Sequence, residues 1–126
     1  MAEIGVMVYG FSKEAALEIR EYLERINGED VALVSGSGRE EDIVGDILED
    51  EGYDTFIELE DPRVVMFLGF DGPRIHASMD GFPSLEGGRP IFCTPTERNI
   101  SWKLKELLED LMEEREYFRN RQRQGG

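Results

Sequence analysis

The chain lacks the residues that several common chemistries need. It has one cysteine, Cys93, and one histidine, His76, which excludes an internal disulfide and argues against a zinc site. No apolar run approaches the roughly 20 residues that span a bilayer. The residues after Met1 do not resemble a signal peptide. We therefore expect a cytoplasmic protein that carries no metal or other cofactor.

The motifs that bind nucleotides and phosphates are also missing. Gly36-Ser37-Gly38 follows a predicted strand, as a dinucleotide-binding loop would, but Glu41 stands where the third glycine is needed. There is no P-loop motif. A phosphatase loop needs an arginine six residues after its cysteine, whereas Arg98 comes five residues after Cys93. No motif assigns a reaction, and we predict no catalytic residue.

What the sequence has in excess is acid. It contains 28 acidic and 14 basic residues, for a net charge of −14. This charge repels phosphate backbones, so we expect no nucleic-acid partner. The lack of a long apolar run leads us to expect no membrane partner either. The last twelve residues are instead basic, which is typical of a helix end that complements the helix dipole; the alternative is a basic RNA-binding tail. Abundant Glu and Arg with little Asn and Gln suggest a thermophile-like protein.

The pattern of apolar residues predicts strand and helix in alternation, four times over. Such alternation predicts an α/β domain with a small, mostly parallel four-stranded sheet in the order 2-1-3-4, flavodoxin-like or Rossmann-like. We assign it to residues 1–119, followed by a basic, flexible tail at 120–126. A short extra strand at Thr55–Leu59 stays open. The predicted strands are 4–9, 31–34, 64–70 and 90–94.

Helix boundaries are marked by capping residues. Ser12 and Asp71 precede amphipathic segments and are predicted N-caps, and Gly28 is a predicted C-cap. Ser37 and Glu40 have the spacing of a capping box, which predicts that the second helix begins there. The last helix is predicted to run from near Thr96 or Asn99 to about Phe118, and a Gly- and Pro-rich connection occupies 83–90.

Two stretches of the chain resemble each other. Val6–Ser12 and Val65–Asp71 each read as a buried strand, then Gly-Phe, then a helix cap. The halves 1–62 and 63–126 each hold two strand–helix units, which is consistent with an old duplication. The alternative is shared local geometry, because any strand that turns sharply into a capped helix favours these residue types.

The order 2-1-3-4 predicts a place for a site. In a parallel sheet of this order, strands 1 and 3 are neighbours whose helices leave on opposite faces, and ligands bind at this switch point. We therefore expect a small ligand in a crevice at the carboxyl ends of strands 1, 3 and 4. The candidate ligand-binding residues are Gly10, Ser12, Asp71, Gly72, Thr94, Thr96, Arg98 and Asn99.

The Thr94–Asn99 cluster also has a purely structural interpretation. Pro95 would fix the turn and Thr96 or Asn99 would cap the last helix, with no ligand involved. Both interpretations place the same residues at the end of the fourth strand.

The second half of the chain carries a recognisable pattern. An apolar strand ends in Gly69, a Thr-Pro-Thr turn follows at Thr94–Thr96, and Trp102 precedes a Leu- and Glu-rich helix. Over residues 63–118 this pattern resembles a small domain-of-unknown-function family of archaea, notably methanogens, and anaerobic bacteria. The resemblance implies an archaeal α/β protein and adds no mechanism.

These observations favour a non-enzymatic module that binds a small ligand or a protein. Its partner is an unknown protein or a second copy, held through the last helix, because Tyr117 and Phe118 lie outside the leucine stripe of that helix. The alternative is a small enzyme or ligand sensor that acts at the predicted crevice.

Overall fold

A computed structural model describes residues 3–83 and 88–125, with side chains as far as residue 121. Its helices and strands alternate as the apolar pattern predicts. The strands coincide with the predicted ones to within two residues at each end. The elements are β1 (Ile4–Tyr9), α1 (Lys13–Asn27), β2 (Val31–Ser35), α2 (Val44–Leu48), β3 (Val64–Leu68), α3 (Gly72–Asp80), β4 (Ile91–Cys93), a 3₁₀ turn (Asn99–Ser101) and α4 (Leu104–Gly125).

The four strands form one sheet in the predicted order, β2-β1-β3-β4, but the sheet is mixed. β1 and β2 are parallel, as are β3 and β4, whereas the central strands β1 and β3 run antiparallel. The prediction of a mostly parallel sheet was wrong, and a flavodoxin-like fold is not confirmed.

The reversal of β3 has a physical cause. A helix of five residues such as α2 is about 7 Å long, which is less than half the length of a six-residue strand such as β1. It therefore cannot carry the chain back across the sheet. The segment between α2 and β3 stays at the end of the sheet where β1 finishes, since the Leu59 amide donates to the Gly10 carbonyl at 3.0 Å. β3 starts from that same end of the sheet and must therefore run opposite to β1.

The helices cover both faces of the sheet, but not in the predicted way. α1 and α3 pack on the same face, where the Tyr22 hydroxyl donates to the Ser78 carbonyl at 2.9 Å. We had expected the helices after strands 1 and 3 on opposite faces, which holds only when those strands are parallel. The other face is covered by α2 and α4, whose side chains pack around Met7 and Met66.

Three predicted caps are confirmed. The Ser12 hydroxyl accepts the Ala15 amide at 3.2 Å, and the Asp71 carboxylate accepts the Arg74 amide at 2.9 Å. Gly28 ends α1 in the left-handed conformation, with φ of 68°. These contacts satisfy backbone groups that a helix end leaves without partners.

The predicted capping box at Ser37 was wrong. The Ser37 hydroxyl accepts the Ile57 amide at 3.1 Å, and Glu40 accepts the Tyr9 hydroxyl at 2.7 Å. Both side chains therefore bind other parts of the chain, and α2 begins only at Val44. The segment Thr55–Leu59 is not a strand.

The last helix lies further along the chain than predicted. It begins at Leu104 rather than near Thr96 or Asn99, and it ends at Gly125, seven residues beyond Phe118; the flexibility of the tail stays a prediction. Within the described ranges, no helix is long and apolar enough to cross a membrane. Of the predicted connection 83–90, residues 84–87 lie outside the described residues.

The two halves of the molecule are related by an approximate two-fold axis. In each half, a residue of the first strand lies beside the residue 27 positions later: Ile4 beside Val31, and Val64 beside Ile91. Met7 pairs with Met66, its own counterpart, at the centre of the sheet. The similarity between the two sequence stretches therefore extends over two β–α–β–α units, called here the first unit (4–48) and the second unit (64–125).

Candidate functional site

The predicted crevice does not form, because the antiparallel pairing places the carboxyl ends of β1 and β3 at opposite ends of the sheet. Gly10 and Ser12 lie beyond the carboxyl end of β1, where they line a cavity of about 300 Å³ together with Glu58. The other six candidates follow β3 or β4 and lie at the opposite end of the sheet. These are Asp71, Gly72, Thr94, Thr96, Arg98 and Asn99.

Four of those six line a larger cavity of about 680 Å³, called here the β4–α4 groove. The four are Thr94, Thr96, Arg98 and Asn99; Asp71 and Gly72 lie outside it. The groove lies between the exposed edge of the sheet and α4, and it is partly open to solvent. Its apolar lining includes Ile91, Phe92, Cys93, Leu107, Leu111, Trp102 and Phe118.

One end of the groove is built by the turn after β4. The Thr96 amide donates to Asn99 Oδ1 at 2.8 Å, and the Asn99 amide donates to Thr96 Oγ1 at 3.0 Å. Asn99 Nδ2 also donates to the Thr94 carbonyl at 3.2 Å. Asn99 is buried, and these bonds fix the shape of the turn. The prediction that Thr96 or Asn99 caps the last helix was wrong, because α4 begins only at Leu104. The two side chains bind each other's backbone amides within the turn, and the Thr94 hydroxyl and Arg98 are left exposed.

The other end is built by α4. Arg115 binds the Asp61 carboxylate through both terminal nitrogens, each at 2.8 Å, and this ion pair lowers the pKa of Asp61. Its Nε is buried and has no hydrogen-bond partner in the described chain. Phe118 and Arg119 follow on the same side of the helix, with just over half of each side chain exposed.

Basic side chains outnumber acidic ones along the groove, although the molecule as a whole is acidic. Four arginines line it, one of them the Asp61-paired Arg115, against the two acids Asp110 and Glu114, whereas the whole chain carries a charge of −14. The Arg98 guanidinium lies 5.6 Å from the centre of the Trp102 ring, where a cation–π contact holds it. The arginines are Arg89, Arg98, Arg115 and Arg119.

Cys93 lines the groove but is not an activated nucleophile. Burial, and to a lesser extent the charge of Glu114, raises the pKa of the thiol to about 12. Since the thiolate is the reactive form, the side chain is nearly all protonated at neutral pH. No group of three or more potential metal ligands occurs in the part of the chain that the structure describes.

The prediction from sequence missed the half of the groove that α4 contributes. Arg115 and Arg119 are four residues apart, which places them on one side of a helix, and Phe118 lies outside the leucine stripe. That spacing was a usable signal. What the sequence could not show was that α4 lies beside β4, because this depends on the direction of β3.

Residues 63–118 match the family model described as a domain of unknown function, DUF3783. The match covers less than half of the 126-residue chain and lies within the second unit, apart from its first residue. It includes most of the residues that line the groove. No curated protein and no solved structure matches the chain. The second unit is thus similar to a domain whose function is itself unknown.

Proposed function

We propose that this protein is a non-enzymatic interaction module that binds a peptide segment of a partner protein in the β4–α4 groove. The observation that carries this proposal is the groove itself: an apolar surface with arginines at both ends, next to an exposed strand edge. Bound peptides commonly use such an edge, because it offers backbone hydrogen bonds alongside pockets for side chains.

The edge strand supplies free backbone groups. The Ile91 amide donates to the Arg63 carbonyl at 2.8 Å, on the side of β3. Alternate residues of a strand direct their backbone groups to opposite sides, so the amide and carbonyl of Phe92 are directed away from the sheet. A bound segment can pair with them.

The chemistry of the groove supports binding rather than catalysis. Cys93 is protonated, and Arg115 is held by Asp61. Pockets for small molecules are usually enclosed and mostly apolar, whereas this groove is partly open and lined by six charged side chains. These features favour a polypeptide over a small ligand.

Selection from a random twelve-residue display library against the intact protein tests this proposal. Phe118→Ala and Tyr117→Ala form a matched pair, because the two rings are about equally exposed but only Phe118 lines the groove. We expect Phe118→Ala to weaken binding of the selected peptides at least fivefold, and Tyr117→Ala to leave it within twofold. If no selected peptide responds to Phe118→Ala, the groove is not the binding surface.

A second candidate is self-association through the end of α4. The rings of Tyr117 and Phe118 pack edge to face at 5.6 Å and stay more than half exposed, which is typical of residues that bind another surface. Sedimentation equilibrium distinguishes the two functions. A dimer that both Tyr117→Ala and Phe118→Ala dissociate supports self-association, whereas a monomer at 100 µM contradicts it.

A further inference from the structure

The first unit already binds a segment of chain at the end of its outer strand. The Ser35 hydroxyl donates to the Thr55 carbonyl, and the Ser37 hydroxyl accepts the Ile57 amide at 3.1 Å. Residues 53–59 form neither helix nor strand. Two serine side chains, two positions apart, therefore hold the backbone of an irregular segment.

Side chains of the same segment pack on both faces of the sheet. Phe56 packs against the apolar cluster under α1, and Leu59 packs against the cluster under α2 and α4. The Leu59 amide also donates to the Gly10 carbonyl, at the end of β1. The segment thus closes the carboxyl end of the first unit with backbone bonds and two apolar side chains.

No segment that the structure describes covers the corresponding surface of the second unit. The counterparts of Ser35 and Ser37, 59 positions later, are Thr94 and Thr96, which carry hydroxyl groups as well. Both threonines are exposed and line the β4–α4 groove. Among the described residues, the Thr94 hydroxyl makes no hydrogen bond, and the Thr96 hydroxyl binds only its own turn. The approximate symmetry therefore indicates where a second segment fits.

The composition of the segment that covers the first unit indicates what kind of segment would bind the second unit. Residues 54–60 contain three acids and three large apolar residues, and no base. Arg98 lies two residues beyond Thr96, lines the groove and is exposed. Its guanidinium contacts the Trp102 ring and forms no ion pair with a described residue. An acidic segment complements this charge, and its apolar side chains match the apolar lining.

We infer that the partner segment is acidic and hydrophobic, and that it binds the Thr94–Thr96 turn as residues 55–57 bind the Ser35–Ser37 turn. Its backbone bonds to the threonine hydroxyls, and its carboxylates pair with Arg98. This inference rests on the proposed function and specifies the chemistry of the partner.

A synthetic peptide with the sequence of residues 53–60, labelled with a fluorophore, is the probe. Its binding to the intact protein is measured by fluorescence anisotropy in 150 mM NaCl, which screens the repulsion from the acidic remainder of the molecule. A second peptide carries Asn and Gln in place of its acids. We expect the acidic peptide to bind at least tenfold more tightly than the neutral one.

Variants of the protein locate the contact. Arg98→Glu should weaken binding of the acidic peptide at least tenfold, and Thr94→Ala should weaken it about threefold or more. Arg25→Glu makes the same kind of charge change at an exposed position on α1, away from the groove, and should leave binding within twofold. In ¹H–¹⁵N NMR spectra, the peptide should shift the amides of residues 91–98 and leave those of residues 35–37 in place.

The inference is overturned if the neutral peptide binds as tightly, if the Arg98→Glu variant binds unchanged, or if the shifts fall on residues 35–37. Shifts at residues 35–37 would mean that the peptide has displaced residues 53–60 of the protein from the first unit. Library peptides of another composition that respond to Phe118→Ala would overturn the inference while leaving the proposed function standing. If no library peptide responds to Phe118→Ala, both the inference and the proposed function are contradicted.

Discussion

Two glycines control how the units meet. Gly10 ends β1 with φ of +87°, and Gly69 follows β3 with φ of +75°. A Cβ on Gly10 would lie 2.6 Å from the Pro62 carbonyl oxygen, and one on Gly69 would lie 2.9 Å from that of Glu3. In both places, the turn after one central strand touches the backbone just before the other. Glycine is needed there for its conformation and for its lack of a side chain.

Substitution of Gly10 tests this account. Gly10→Ala combines an unfavourable backbone conformation with a clash, so we expect a loss of about 1–3 kcal/mol in the free energy of unfolding. Gly28→Ala carries the positive φ without any neighbour within 4 Å, and it should cost about 1 kcal/mol. Urea denaturation measures both.

Gly72→Ala is the control for these changes, because Gly72 has an ordinary φ and open space around it. It should change stability by less than about 0.5 kcal/mol. A Gly10→Ala variant as stable as Gly72→Ala would contradict the close approach of the two units.

At the scale of elements, α4 has two parts with different roles. Leu104, Leu107, Leu108 and Leu111 are buried and anchor it to the sheet. Residues 116–121 are all exposed. The first part therefore stabilises the fold, and the second supplies Phe118 and Arg119 to the groove.

Truncation after Glu116 separates the two roles. Because the described side chains among the removed residues, 117–121, are all exposed, we expect the stability to fall by less than about 0.5 kcal/mol, as measured by thermal unfolding. The display-selected peptides should lose at least fivefold in affinity for the truncated chain. A drop of more than 10 °C in the melting temperature would show that the helix end supports the core.

Predictions that depend on contacts within a few residues along the chain succeeded, and the prediction that depends on a distant contact failed. Residue types at the ends of β1 and β3 predict the caps at Ser12 and Asp71 correctly, since these contacts lie within three residues along the chain. Strand order also followed from the alternation of elements. Local pattern carries no information on the direction of β3, which depends on the short helix α2 and on the distant contact of Leu59 with Gly10.

The wrong direction predicted for β3 explains why only some of the candidate site residues lie together. Thr94, Thr96, Arg98 and Asn99 are close together in sequence, so any fold that ends a strand before them keeps them together. Gly10 and Ser12 were included among the candidates only because β1 and β3 were expected to be parallel, and they lie at the opposite end of the sheet. Ser37 likewise has the local pattern of a cap, but the distant Ile57 amide binds its hydroxyl instead.

At the scale of the whole molecule, one ion pair ties the connection between the units to the last helix. The pKa of Asp61 is lowered, chiefly by its hydrogen bonds to Arg115. A lowered pKa in the folded state adds stability above the unfolded pKa, about 4 for a carboxyl group, and this contribution is lost as the pH falls through the folded value. The Asp61 side chain is half exposed, so the contribution is small.

Asp61→Asn should therefore lower the free energy of unfolding by less than about 1 kcal/mol at pH 7, and the difference from the unsubstituted chain should shrink below about pH 4. Asp54→Asn is the control, because its pair with Lys13 is mostly exposed on both sides and should contribute little. Urea denaturation at pH 7 and pH 3 measures both variants. A difference that grows towards pH 3 would contradict the assignment.

The antiparallel pairing of β1 with β3 has a consequence for chains shorter than this one. A polypeptide that consists of a single β–α–β–α unit leaves its innermost strand without a neighbour on one side, with a row of unpaired amides and carbonyls. Two such polypeptides, related by a two-fold axis and paired antiparallel along those strands at the position of Met7 and Met66, would reproduce the present sheet without any covalent link. The geometry is thus equally suited to a monomer of two units and to a homodimer of one.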